Sequence, residues 1–385
     1  MRILYVIDSL VGGGAEVSTR TMAGELARRG HTVKVIVLRA LDDLGIAGPD
    51  VVVEVLSGRR FGQRVRGLRA EIRHFKPDVV HSALYASNQV SRFAALGTGV
   101  PVVSSLVSTP YSAGARSASR VPRWKVELVR GWDVLTGWVG VTRFHAVSEG
   151  VAAANARALC IRRRKIEVVE RGRSRDVLGS YSDARRQQAR EALGIPPEAY
   201  VLLCVGRQEA LKRYEDVVRC LPEIRGRHSQ VRLLLAGRRG SGTDAIERAM
   251  SEWGVEDQVH LLGERGDVPD LLCAADVLTI SSVAEGTAGV ALEAMALHCP
   301  VVCTDVEGVR GVLENGRNCL LVPVASPTDL AAAVMRLRSN GDLRQRLVAE
   351  GRIDFDTRFD LQAAARRTEA FYGAAARCSG EWRHD

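Results

Sequence analysis

The stretch DVLTISSVAEGTAGVALEAMALHCPVVCTD, residues 276–305, contains the repeating unit of the whole chain. VLTIS reads as a short buried strand, Glu285-Gly286 to Gly289 as a turn, ALEAMA as the start of a helix, and PVVCTD as the next strand. A strand, a helix and a strand in that order make a crossover between parallel strands. Glu285 and Glu293 lie eight positions apart. A continuous helix would splay them by about 80° beyond two turns, and Gly286 and Gly289 argue against a continuous helix. The expected geometry therefore puts Glu285 in the loop and Glu293 in the first helical turn, facing one ligand from different sides. The backbone N–H groups of Thr287, Ala288, Gly289 and Val290 would then point at a phosphate. The other reading is that a carboxylate here merely caps the helix.

The same alternation runs outward in both directions. ILYVID, TVKVIVL, PDVVHS, PVVSSL, FHAVS and KIEVVE are strands of the first half, with helical patterns near 16–29, 62–75 and 87–97. YVLLCVG, VRLLLAG, QVHLLG, DVLTIS, PVVCTD and NCLLVP follow in the second half, with helices near 214–225 and 243–253. Residues 171–190, polar and rich in arginine, read as the linker. The fold class is α/β, with two Rossmann-like, doubly wound parallel-sheet domains facing a central cleft. The boundaries are 1–175 and 176–360. A last helix at 361–376 cannot be assigned to either domain from its pattern.

With 385 residues, 46% hydrophobic and 26% charged, the chain is that of a globular protein of two domains. No apolar run reaches the roughly 18 residues of a membrane helix, and MRILYVIDSL reads as a strand rather than a signal peptide. The expectation is a cytoplasmic protein. Its eight cysteines are scattered, without Cys-x-x-Cys pairs, and read as small buried hydrophobes. The net charge of +9 is uneven: residues 1–195 hold 31 Lys+Arg against 17 Asp+Glu. A basic N-terminal half suits an anionic partner, although only five of the 54 basic residues are lysines and heavy arginine use also follows a GC-rich genome.

Three further clusters sit at strand ends or stand out by type. VGGGAE, 11–16, would let Gly12, Gly13 and Gly14 bring backbone N–H groups to a phosphate or sugar, or would simply make a tight connection. VGRQEALK places Gly206, Arg207 and Lys212 just after a strand, as a diphosphate clamp or as a solvated pair. DFD, 354–356, looks like an Asp-x-Asp metal motif but has no strand-end setting. No cluster has zinc spacing, and no P-loop or Gly-x-Ser-x-Gly occurs.

Together, and in this order, these motifs resemble the retaining glycosyltransferases of family 4, which have the GT-B fold. SSVAEGTAGVALEAMALHCPVVCTD is similar to the family's Glu-x7-Glu signature, VGRQEALKRYEDVV to its phosphate motif, and GGGAEVSTRTMAGELARRGHTVKVIVL to its first turn and helix. VHLLGERGDVPDLLCAADVLTISS follows the family pattern as well. The resemblance implies that Arg207 and Lys212 hold the donor diphosphate, Glu285 the donor sugar, Glu293 the ribose, and 286–290 the sugar and phosphate through backbone amides. It places Gly12 to Gly14 on the acceptor side and the last helix, 361–385, back on the first domain. The implied reaction moves a sugar from a UDP- or GDP-sugar to a hydroxyl of a glycan, glycolipid or small molecule, with no metal and no cofactor. Three departures stand out: Leu106 or Val107 where members often carry His, His298 for a glycine, and Arg310 and Gly311 for Pro and Glu.

Two carboxylates also serve glycoside hydrolases, but those have no use for a phosphate clamp. A nicotinamide dehydrogenase would want an acid where Arg39 ends the second strand. A sugar-nucleotide epimerase and a non-catalytic sugar-nucleotide-binding protein remain as alternatives. Nucleic acid is not expected as a partner. One more feature concerns the surface. In RRFGQRVRGLRAEIRHFK, 59–76, Phe61, Val65, Leu68, Ile72 and Phe75 form one helical face among arginines, and Trp124, Trp132 and Trp138 follow later. Either that face packs on the sheet, or the helix lies on an anionic membrane and brings the enzyme peripherally to its inner face.

Overall fold

The computed structural model describes residues 1–10, 13–39, 50–119, 121–227 and 230–380. They form two compact units: Met1–Ser112, Arg120–Ser174 and Arg358–Asp385 make the first, Ala113–Ser119 and Arg175–Thr357 the second.

In the first unit β1 (Arg2–Ile7), β2 (Thr32–Val37), β3 (Val51–Val55), β4 (Val79–Ala83), β5 (Val102–Leu106), β6 (Arg143–Ala146) and β7 (Ile166–Val168) form one sheet. Its order is β3-β2-β1-β4-β5-β6-β7, parallel throughout. Strands covered on both faces need no polar side, which is why β1 is apolar and buried from Ile3 to Ile7. Ile3, Tyr5 and Ile7 pack under helices Gly14–Arg28 and Leu361–Gly380, through Ala23, Leu26, Phe371 and Tyr372. Leu4 and Val6 face the other way, toward Leu68, Ile72 and Phe75 of helix Phe61–Phe75 and Val90 of helix Tyr85–Ala95. The apolar face of 59–76 is thus spent on the sheet at Leu68, Ile72 and Phe75; only Phe61, at its start, is exposed.

The second unit holds β8 (Tyr200–Val205), β9 (Val231–Ala236), β10 (Val259–Gly263), β11 (Val277–Ile280), β12 (Val301–Thr304) and β13 (Leu320–Val322). The order is β10-β9-β8-β11-β12-β13, again all parallel. Each sheet reverses its winding at one central pair, β1/β4 and β8/β11. Loops leaving the carboxyl ends of such a pair diverge to opposite faces and open a crevice.

The passage 171–190 is not a free linker. Helix Asp183–Ala192, begun by Ser182 Oγ accepting from Arg185 N, belongs to the second unit. Arg186 and Arg190 donate to the two oxygens of Asp276 at 2.7 and 2.8 Å. Arg190 also reaches the carbonyls of Ala274, Pro197 and Ala199. Of the cysteines, Cys204, Cys220, Cys273, Cys299, Cys303 and Cys319 are buried free thiols, as expected, whereas Cys160 is exposed.

Candidate active site

β8 ends at Val205 and passes through Gly206 (φ +139) into the turn Ala210–Lys212. A Cβ at 206 would come 3.0 Å from the Tyr214 hydroxyl, so glycine lets the loop close over that ring. The turn aims Lys212 back across the switch point. Its Nζ donates to Glu285 Oε1 at 2.6 Å, the same oxygen that accepts from Ser282 Oγ at 2.6 Å. The backbone fixes the pair from both sides. Val283 N donates to Leu211 O at 2.9 Å, and Ser281 Oγ donates to Lys212 O at 2.7 Å. Thr304 Oγ1, from the end of β12, donates to Ser282 O at 2.5 Å. Two sequence-separated motifs therefore meet as one ion pair, with the Glu285 side chain about one-tenth exposed and that of Lys212 about a quarter. Tyr214 Oη, buried beside them, has no hydrogen-bond partner among the described residues.

Arg207 points elsewhere. Its half-exposed guanidinium makes a 3.6 Å ion pair with Glu209 and is not joined to Glu285. Its neighbour Gln208 is the anchor. Buried, it accepts from Thr243 Oγ1 at 2.8 Å and donates to Gly237 O at 3.3 Å, tying the loop after β8 to the loop after β9. Nothing in the sequence singled out Gln208, because its partners lie 29 and 35 residues away.

The helix after β11 starts at Gly289, with Ala288 in the left-handed region (φ +50). Thr287 and Ala288 are buried; Gly286, Gly289 and Val290 are half-buried. Glu293 is the fifth residue of that helix, in its second turn rather than its first, because the helix begins at Gly289, two residues before ALEAMA. Thr287 to Val290 still surround the helix N-terminus, which favours an anion. The loop is wedged from behind by the turn Glu307–Val309: a Cβ on Gly308 would fall 1.7 Å from Glu285 O. Of the unusual residues, Arg310 pairs with Asp305 at 3.2 Å. His298 sits at φ +59, where glycine is at ease, and stacks on Tyr181 at 5.4 Å.

In the first unit Gly12 lies outside the described residues. Gly13 precedes helix Gly14–Arg28, and the Glu16 carboxylate folds back over it, 2.4 Å from where a Cβ would stand. Beside this turn, at the carboxyl ends of the strands, is a cavity lined by Ser18, His81, Val107, His145, Arg171 and Tyr372, among others. A relay crosses its wall. Tyr372 Oη joins Tyr5 Oη at 2.7 Å and also contacts His81 Nδ1; His81 Nε2 meets Ser105 Oγ at 2.6 Å. Ser105 Oγ then meets His145 Nδ1 at 3.0 Å, and His145 Nε2 donates to Val169 O at 2.8 Å. His145 Nε2 must carry the proton it gives to Val169 O, which in the neutral ring leaves Nδ1 to accept from Ser105 Oγ. Burial depresses both imidazoles, His145 to about 4, and His81 is further opposed by its neighbour His145. Of Leu106 and Val107, where family members often carry His, Leu106 is buried in the core and Val107 lines this cavity. A histidine inside an apolar strand carries no spacing signal, so this wall was invisible in the sequence.

As for metals, Asp354 is buried and accepts from Arg317 at 2.6 Å and Asn318 at 2.7 Å, while Asp356 pairs with Arg352 and Arg175. Among the described residues no three His, Cys, Asp or Glu side chains gather as a metal site. Nor is any helix long and apolar enough to cross a membrane.

Residues 12–176 match the model for Glycosyltransferase Family 4, and residues 199–340 that for Glycosyl transferases group 1. A D-inositol 3-phosphate glycosyltransferase of Actinosynnema mirum is 30% identical over 371 residues, 87% of this chain and 86% of its own. One of Kineococcus radiotolerans is 30% identical over 415 residues, covering 96% and 89%. Among solved structures, Anabaena HepE with UDP-glucose aligns at a TM-score of 0.83 with 20% identity, over 97% of this chain and all of that one. Sucrose-phosphate synthase of Thermosynechococcus elongatus aligns equally well, at 0.83 and 20%, over 97% and 99%. The two sheets thus carry the GT-B fold.

Proposed function

Since this chain belongs to glycosyltransferase family 4, we propose that it transfers a sugar, with retention of configuration, from a nucleotide-diphosphate sugar to an acceptor hydroxyl. The observation that carries this reading is the Lys212–Glu285 pair, 2.6 Å apart at the switch point of the second sheet and beside a helix N-terminus. Lys212 offers the departing diphosphate a fixed positive charge, and Arg207, exposed on the same loop, swings to meet it when the donor binds. Glu285 holds the donor sugar's hydroxyls, the amides of Gly286 to Val290 take sugar and phosphate, and Glu293 takes the ribose.

A nucleoside diphosphate leaves readily, so its departure calls for charge stabilisation more than for protonation. Donors held in place for a developing charge are worth about 3–4 kcal/mol each. As the bond from the anomeric carbon to the phosphate oxygen breaks, the acceptor oxygen forms its bond on the same face. The departing phosphate oxygen takes the acceptor proton. The chemistry needs no metal in this account, and activity should survive EDTA. UDP- and GDP-sugars are both candidate donors, since base contacts in such sheets are largely backbone; UDP is the first to try, given the Anabaena complex. The acceptor is a glycan, glycolipid or small molecule reached from the Gly12–Gly14 side in the cytoplasm. The relatives' names make an inositol phosphate the first small molecule to test.

The experiment is turnover of UDP- and GDP-sugars against a panel of acceptors, with the product's anomeric configuration read by NMR. Glu285→Gln should cut kcat about 100-fold or more while free nucleotide diphosphate still binds. Wild-type turnover in Glu285→Gln removes the site assignment. Nucleotide binding without any turnover would favour a non-catalytic binding protein, and an altered sugar nucleotide would favour an epimerase.

A further inference from the structure

Helix Arg123–Gly140 presents a face that no core formed by the described residues covers. At 100° per residue, Trp124, Leu128, Gly131, Trp132, Leu135, Trp138 and Val139 fall within an arc of about 120°, and no polar residue falls inside it. Trp124 is 62% exposed, Leu128 65%, Trp138 59% and Val139 66%. The row extends about 22 Å along the axis. Single exposed apolar side chains are ordinary, but an unbroken row marks an interaction surface.

The helix cannot hide this row by rolling over, because its other face is fastened. Asp133 accepts from the buried Arg92 at 2.5 Å and from Tyr111 at 3.1 Å. Thr136 Oγ1 accepts from Arg92 at 2.9 Å, and Arg130 donates to Ala158 O at 2.9 Å. A Cβ on Gly140 would lie 2.7 Å from Arg92 Cβ, so backbone and side chain are already in contact there.

The border of the row is basic. Trp132 stacks on Phe93 (5.9 Å, 18°), and Phe93 meets the edge of Phe61 at 5.6 Å. Phe61 follows the exposed Arg59 and Arg60 directly in the chain. Arg123 and Lys125 are exposed at the helix start, with the Lys125 ammonium 5.3 Å over the Trp124 ring. The exposed acid next to the row, Glu127, is already paired with Arg130 at 2.6 Å. From this we infer that the face docks the first unit on an anionic lipid bilayer. The helix lies in the membrane plane, its three tryptophans at headgroup depth and its arginines on the phosphates. A second copy of the chain fits worse, since two-fold pairing of this face would bring the same arginine border together on both sides. The inference does not depend on the transfer reaction.

The test is co-sedimentation of the full chain with phosphatidylcholine vesicles, with and without phosphatidylglycerol, alongside light scattering of the free protein. Binding should require the anionic lipid and weaken about tenfold or more as salt screens it. Tryptophan emission should shift to the blue, and brominated acyl chains should quench it. The double variant Leu128→Asp/Leu135→Asp should lose at least about tenfold in vesicle affinity with an unchanged unfolding temperature, because both side chains are exposed. No binding to anionic vesicles, equal binding to neutral ones, or binding that survives the double variant overturns the inference. A dimer abolished by the same variant, with no vesicle binding, would assign the face to self-association instead.

Discussion

A β-carbon at position 308 would lie 1.7 Å from the carbonyl oxygen of Glu285, and no rotamer change relieves a contact between backbones. Gly308→Ala must therefore push the Glu285 loop off its seat. We expect a lower unfolding temperature together with at least about a tenfold loss of kcat, since a displacement of about 1 Å at a positioned group can cost a hundredfold. Normal activity in a stably folded Gly308→Ala protein would show that the loop has slack. His298 offers the opposite experiment. It pays for left-handed backbone with a stack on Tyr181, and glycine would relieve about 1 kcal/mol of the strain while losing the ring. His298→Gly should thus change stability by less than about 1 kcal/mol in chemical denaturation, whereas His298→Ala, strained and unstacked, should destabilise. Lys212 and Glu285 could each be picked out in the sequence because each stands in a glycine-bearing loop after an apolar strand; that the two meet as an ion pair could not. Nor could the seats of Gln208 and His81, since long-range partners leave no local pattern.

Elements fail in the sequence for a related reason. The passage 171–190 looked like a linker because it is polar, yet its arginines are the means by which helix Asp183–Ala192 holds the second sheet. Asp276 accepts from Arg186, from Arg190 and from Val201 N at 2.7 Å. Removing it strands Arg190, which is buried and whose guanidinium desolvation already pulls toward deprotonation. Asp276→Ala should destabilise the second unit by about 3 kcal/mol, measured by urea unfolding; a loss below about 1 kcal/mol would mean the helix docks through apolar contacts alone. Composition cannot separate an arginine that meets water from one that meets a carboxylate 90 residues on. Alternating strands and helices, by contrast, were plain, because two-sided burial writes itself into every residue of a parallel strand.

At the scale of the whole molecule, the first unit carries its own acid sensitivity. His145 is held to about 4 by burial, against about 6.5 in an unfolded chain. Between those values the unfolded state binds the extra proton, so stability falls as pH drops from 6.5 and the loss is complete near 4. With His145 partly open to its cavity, about 2 kcal/mol is the expected size. His145→Gln should flatten that limb, read by fluorescence of Trp124, Trp132 and Trp138; an unchanged slope would place the sensitivity elsewhere. The same wall depends on the end of the chain. Tyr372, in helix Leu361–Gly380, contacts both Tyr5 and His81, and Glu369 binds Arg29 at 2.8 Å. Arg175–Thr357 is almost the whole second unit in one continuous run, whereas the first unit waits for residues beyond 357. During synthesis, then, the first sheet's seven strands leave the ribosome before any of the second's, yet the second unit is the first to have all its residues outside. The first sheet stays open along β1 and β4, as a client for chaperones, until its closing helix emerges.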